Sequence, residues 1–240
     1  MEIVTADTFL SGRMTVRQPK DGYRFSIDAV LVADFMRCKE GQAILDLGTG
    51  CGIIPLILAF RYPGLTIFGV EIQAELARIA TANVKENDLA DRVQVLHRDL
   101  KRLAISDIPS RIHHVVCNPP YRPIASGRIN PHREKAGARH EILAQLEDVV
   151  DAASRMLQLS GRLTCVYPAS RLADMIVRMR MAGLEPKRLC TVHSKEGSEA
   201  RLILITGVKG GRPGLDLEQP LIIYQNDGSY TERVAGMFQP

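Results

Sequence analysis

The sequence lacks the marks of several large protein classes. No apolar run approaches the ~20 residues a membrane-spanning helix needs, and the longest, such as Ile53–Phe60, are far shorter. The leading residues MEIVTADTFLSGRM have no basic-then-apolar layout of an export signal. The five cysteines, Cys38, Cys51, Cys117, Cys165 and Cys190, are odd in number, scattered and without a CxxC pair. That argues against a disulfide framework or a zinc site and fits a reducing cytosol. There is no GxxxxGK[ST] phosphate loop, so nucleoside triphosphate hydrolysis loses its main support. Internal repeats and low-complexity tracts are also missing. What remains is globular in composition, with 45% apolar and 24% charged residues in 240, which excludes a disordered or fibrous chain. At this length a single α/β domain buries about 70–75% of its unfolded surface and needs no staples. The expectation is a cytoplasmic protein without a membrane anchor.

Two textures alternate from about residue 43. Short apolar, β-branched runs read as strands: Ala43–Leu47, Thr66–Glu71, Val93–Leu96, His113–Cys117 and Gly161–Tyr167. Between them, Ile53–Phe60, Ala74–Glu86, Glu141–Leu157 and Ser170–Ala182 carry helical periodicity. The strands are too continuously apolar for a one-faced sheet, which predicts an α/β fold with a doubly wound, mostly parallel sheet. After Gly183, Lys187–His193 and Arg201–Val208 are joined by too few residues for a crossover helix, so they read as an antiparallel hairpin at the sheet edge. Pro220–Gln225 reads as a further edge strand, followed by a short tail helix. Residues 1–42 form an N-terminal extension with a helix over Ser26–Cys38, and residues 43–240 form the main domain.

The first strand runs into Asp46-Leu-Gly48-Thr49-Gly50-Cys-Gly52 and then an apolar helix. Alternate glycines let the backbone turn sharply and approach a ligand, at the place where open α/β sheets bind nucleotides. The spacing is GxGxG rather than the GxGxxG of dinucleotide binders, which weakens the case for NAD or FAD. Glu71 closes the next strand, where a carboxylate accepts both hydroxyl hydrogens of a ribose. Asp99, after the third strand, can take an adenine amino hydrogen while Leu100 packs on the ring. The bland alternatives are a capping carboxylate at Asp46 and a turn residue at Asp99. Together these residues resemble class I S-adenosylmethionine-dependent methyltransferases. The resemblance implies a seven-stranded sheet with a terminal antiparallel hairpin and S-adenosyl-L-methionine as cofactor. It also implies Asp46, Gly48, Thr49, Gly50 and Gly52 beneath the methionine part, Glu71 with Ile72 at the ribose, and Asp99 with Leu100 at the adenine. A sulfonium donor brings no phosphates, consistent with a glycine loop that has no lysine.

The fourth strand ends in Asn118-Pro119-Pro120-Tyr121. Two prolines offer carbonyls but no N–H donors, so the Asn118 side-chain oxygen and the Pro119 carbonyl make an acceptor-only fork suited to an NH2 group. Two acceptors pull the amine's hydrogens out of plane, localise its lone pair and stabilise charge as a methyl group arrives. Tyr121 offers a face on which a base can stack, worth ~1–3 kcal/mol. NPPY resembles the signature of amino-group methyltransferases, which act on base amines such as adenine N6 or on glutamine side chains of release factors. The motif does not separate the two. The segments Gln18–Phe35 and Pro220–Thr231 resemble those of the bacterial valine-tRNA adenine-N6 methyltransferases, so the likeness covers nearly the whole chain. In that family the leading segment folds over the cofactor, which implies Tyr23, Phe25, Ser26 and Asp28 as cofactor neighbours and residues 1–42 as a lid. The alternative is that they are helix N-terminus and core residues, with Ser26 or Asp28 as a cap.

Charge supplies the substrate's sign. From Asn118 to His140 stand Arg122, Arg128, Arg133, Lys135 and Arg139 against the single acid Glu134, an excess equal to the whole chain's net +4. A basic stretch beside the fork is what a phosphate-backbone substrate needs, and what flipping a base out of a stem requires. His132 and His140 lie there without a metal-ligand set, so no metal is expected. The sequence therefore predicts a metal-independent N-methyltransferase of RNA, with adenine N6 in a tRNA as the target, acting as a monomer or weak homodimer. A release-factor-type glutamine N5-methyltransferase and a low-turnover, donor-bound RNA-binding partner are the alternatives.

Overall fold

A computed structural model of the chain describes residues 4–20, 25–119 and 145–239. It opens on an element that the sequence reading did not contain. Strands β1 (Val4–Phe9) and β2 (Met14–Pro19) pair as an antiparallel hairpin with Phe9 opposite Met14. Leu10, Ser11 and Gly12 turn it with positive φ angles of 50°, 55° and 81°. Helix α1 (Ile27–Phe35) follows, within the predicted helix, and is buried along most of its length.

The alternating part is where the sequence placed it. It runs β3 (Ala43–Leu47), α2 (Ile53–Arg61), β4 (Thr66–Glu71), α3 (Ala74–Glu86), β5 (Val93–His97) and β6 (Ile112–Cys117). Then come α4 (Leu146–Met156), β7 (Leu157–Pro168) and α5 (Leu172–Met181). Strands β8 (Leu184–His193) and β9 (Ala200–Lys209) form the expected antiparallel hairpin. Its β9 inserts beside β7, and β8 is flanked in turn by the two-residue strands β10 (Asp216–Leu217) and β11 (Leu221–Ile222). The tail helix is α6 (Glu232–Gly236). The main sheet has the order β10-β8-β9-β7-β6-β3-β4-β5, with β11 also on β8. Seven of its strands are long, and β7, β6, β3, β4 and β5 are parallel.

Both faces of this sheet are covered, which explains why β3 and β6 are buried along nearly their whole length. One face packs α1, α2, α3 and the hairpin through residues such as Leu31, Leu56, Ile79 and Val16. The other packs α4, α5 and the turns over Leu100–Ile108 through Val149, Met175 and Leu103. A polar cluster interrupts the first face, where the His114 Nε2, Thr164 Oγ1 and Thr206 Oγ1 atoms stand at 2.7 and 2.8 Å from their neighbours in line. Burial, with the Arg162 and Arg188 charges adding to it, pushes His114 down to about 3, so the ring stays neutral.

The two ends of the chain meet. Phe25 stands edge-on to Phe9, Phe9 packs on Phe238, and Phe238 stacks on Tyr230, which stacks on Tyr224. No helix among the described residues is long and apolar enough to cross a membrane.

Candidate active site

From β3 the chain steps outward through β4 to β5, and then β6 returns to the opposite side of β3. The reversal opens a crevice at the carboxyl ends of β3 and β6, the place where open parallel sheets take ligands. The glycine loop leaves β3 on one side of it and Asn118 leaves β6 on the other. Asn118 is half-buried and Pro119 buried. The Cys117 thiol donates to the Leu47 carbonyl at 3.0 Å and ties the two strand ends together. Burial pushes that thiol far up, so it acts as a fastening and not as a nucleophile.

The glycine loop is held by its neighbours in fine detail. Gly48 and Thr49 N–H both donate to the Val70 carbonyl at 2.9 Å. Gly48 and Gly52 have φ of +75° and +87°, a region costly for other residues. A Cβ on Gly52 would also stand 3.2 Å from that of Ala80 on α3. Glu71 braces the loop from β4, since one carboxylate oxygen accepts the Gly50 N–H and the other the Gln73 N–H, both at 2.9 Å. Each oxygen keeps a further lone pair for a ligand. Ile72 is half-buried, and its carbonyl lies 3.0 Å from His97 Nε2.

Asp46 stands apart from this satisfied network. It is fully buried, and among the described residues neither its carboxylate oxygens nor the buried Thr49 hydroxyl has a hydrogen-bond partner. Burial pushes its carboxyl up to about 7, with the nearby Thr49 hydroxyl opposing and Glu71 reinforcing the shift. An orphaned carboxylate in a glycine-lined crevice matches a cationic ligand without phosphates, because a cation there restores the compensation that burial removes.

The other expected contacts are placed as follows. Asp99 caps the turn Leu100–Arg102, accepting the Lys101 N–H at 2.9 Å through one oxygen, so the turn reading is correct for that oxygen. Leu100 is buried, and the Arg155 guanidinium of α4 fixes its carbonyl at 2.9 Å and that of Leu103 at 3.0 Å. Ser26 is the exposed residue before α1, and Phe25 packs half-buried on Phe9. Asp28 in the first turn is pushed up by burial, against a hydrogen bond from Ser26. Pro120, Tyr121, Arg122, Arg128, Arg133, Lys135 and Arg139 lie outside the described residues, as does Tyr23. Sequence reasoning missed Gly69, which lies flat on β4 so that the Thr49 side chain can pack over it, where a Cβ would meet Thr49 at 3.0 Å.

Residues 26–180 match the family model described as methyltransferase small domain. A curated protein of Pedobacter heparinus is 30% identical over 87% of this chain and 86% of its own length. One of Vibrio parahaemolyticus is 28% identical over 87% of this chain and 84% of its own. Both carry the name tRNA1(Val) (adenine(37)-N6)-methyltransferase. Among solved structures, a predicted O-methyltransferase of Agrobacterium tumefaciens aligns with a TM-score of 0.71 at 24% identity, over 88% of this chain and 94% of that one. At that identity the likeness shows the fold alone.

Proposed function

Because the chain belongs to the methyltransferase small domain family, we propose that it methylates the N6 amino group of an adenine in tRNA, with S-adenosyl-L-methionine as donor. The observation that carries the reading is the crevice itself, with the braced glycine loop and orphaned Asp46 at the end of β3 and Asn118 and Pro119 at the end of the adjacent β6. The names of the curated relatives supply the base and the RNA.

When bound, the donor supplies an electrophilic methyl group on a sulfonium that leaves as a neutral thioether. The protein's residues do the rest. Asp46 balances the donor's positive charge, the glycine loop lies beneath its methionine part, Glu71 and Ile72 meet the ribose, and Asp99 and Leu100 flank the adenine. Residues 1–42 serve as the lid, with Phe25 and Ser26 over the donor. Asn118 and the Pro119 carbonyl accept the two amine hydrogens, which localises the nitrogen lone pair toward the methyl carbon. With a donor bound, this fork would hold the amine through methyl transfer and stabilise the charge on its nitrogen until the surplus proton passed to solvent. Pro120 keeps the fork rigid and Tyr121 stacks the target base.

The basic stretch from Arg122 to Arg139 grips the phosphate backbone, and the cytoplasm is where this substrate resides. Replacing Arg128, Arg133 and Lys135 together with alanine is expected to weaken tRNA binding and lower the slope of log affinity against log salt by about two to three. Filter binding at several salt concentrations measures it, and an unchanged slope removes these residues from the RNA interface. The decisive experiment for the reaction incubates the protein with labelled donor and either total tRNA or a release factor, followed by nucleoside mass analysis. N6-methyladenosine in the digest is the expected product, and label found only in protein overturns the assignment.

A further inference from the structure

Asn83 is fully buried in α3, a helix whose opposite face is solvated. A buried amide left without partners costs about 1–3 kcal/mol, and this one is spent entirely on backbone. Its Oδ1 accepts the Arg17 N–H at 2.8 Å, while its Nδ2 donates to the Arg17 carbonyl at 2.9 Å and to the Cys51 carbonyl of the glycine loop at 2.8 Å. One turn later Asn87 repeats the first half of the pattern. It accepts the Thr15 N–H at 2.9 Å and donates to the Thr15 carbonyl at 2.7 Å.

The spacing explains the pairing. Alternate residues of a strand are ~6.7 Å apart, and residues four apart on a helix are ~6 Å apart. Two asparagines at that interval therefore stand in for a neighbouring strand along the outer edge of β2. Next to Arg17, buried Gln18 donates to the Asp7 carboxylate and accepts the Phe25 N–H at 3.2 Å. A continuous route thus runs from the glycine loop at Cys51, through Asn83 and β2, to the backbone of Phe25. Ala80, one turn before Asn83, adds a second contact between α3 and the loop at Gly52.

We infer that Asn83 is a positioning residue that sets the distance between the glycine loop and the segment at Phe25, using the N-terminal hairpin as its spacer. The inference rests on the donor site proposed above and concerns affinity for the donor, not the chemical step. Asn87 fastens the same hairpin through Thr15 without touching the loop, which makes it the internal control.

The test is calorimetric titration of S-adenosylhomocysteine, with kcat and KM for the donor measured alongside. Asn83→Ala is expected to raise Kd and the donor KM about tenfold, with kcat at saturating donor lowered less than about twofold. Gln18→Ala, which cuts the route at its other end and leaves α3 intact, is expected to act in the same direction. Its effect combined with Asn83→Ala should fall well short of the sum of the two. Asn87→Ala is expected to keep Kd within about twofold while lowering the melting temperature. An unchanged Kd in Gln18→Ala, or an equal loss in Asn87→Ala, overturns the inference even if Asn83→Ala does not fold. Wild-type protein that binds no S-adenosylhomocysteine overturns the donor reading itself, and this inference with it.

Discussion

Asn118→Ala is expected to lower methyl transfer about 100- to 1,000-fold, the loss typical when one pre-aimed hydrogen-bonding group leaves a developing charge. The amine of adenine is a poor nucleophile because its lone pair is delocalised into the ring. The Pro119 carbonyl alone can turn only one N–H out of plane, so rehybridisation goes unsupported on the other side. Donor binding should be preserved, since Asn118 leaves β6 whereas the glycine loop leaves β3 and is braced from β4. Single-turnover transfer from labelled donor, with calorimetric binding of S-adenosylhomocysteine, separates the two effects. Turnover within tenfold of wild type would remove the fork from the mechanism.

Asp46→Asn is expected to move stability and function in opposite directions. The folded carboxyl sits near 7 against an ordinary 3.8, so the folded state binds the extra proton. Between those values stability falls as pH rises, and above about 7 the whole burden, on the order of a few kcal/mol, is present. Asparagine removes it, and the variant should melt higher than wild type at pH 8 and gain least near pH 4. Donor affinity should fall, because the cation loses its countercharge. In wild type only the ionised carboxylate serves, so affinity is expected to rise about tenfold between pH 6 and 8, whereas the variant stays flat.

His114 gives this prediction a second edge. Its ring, held near 3 against an ordinary 6.5, makes the folded state bind fewer protons than the unfolded chain. Stability therefore rises with pH between about 3 and 6.5. From about 4 to 6.5 the two groups oppose each other, and wild-type stability should be nearly level there. With Asp46 replaced, the histidine slope stands alone and the variant loses stability steeply on acidification. Urea melts at half-unit pH steps reveal it, and parallel curves for the two proteins would refute the pairing.

The parallel sheet was legible because β3, β4 and α3 carry strong patterns, mostly apolar in the strands and of helical period in the helix. Their bounds match the sequence reading residue for residue. The glycine loop was legible because its chemistry is local, with backbone freedom at Gly48 and Gly52 written in consecutive letters. The hairpin at Val4–Pro19 was not, since its β2 buries Gln18 among apolar neighbours and presents its outer edge to asparagine side chains. Nothing in the sequence singled out Asn83, because an amide in a helix reveals its partners only in three dimensions. The one available signal was the interval Asn83-x-x-x-Asn87. Asp99 shows the opposite limit, where the carboxylate that the sequence offers for an adenine amine is one whose visible work is to cap a turn.

The aromatic row from Phe25 to Tyr224 carries a consequence for the order of events during synthesis. Phe9 leaves the ribosome early, yet its partner Phe238 follows more than 200 residues later, roughly 10–50 s at ordinary elongation rates. The hairpin meets α3 well before that and can zip onto Asn83 and Asn87, but its aromatic side waits uncovered. A nascent chain paused before Tyr230 and Phe238 emerge would therefore present Phe9 without the ring that packs on it in the finished fold. Until the tail arrives, that apolar corner is open to chaperones or to misassembly.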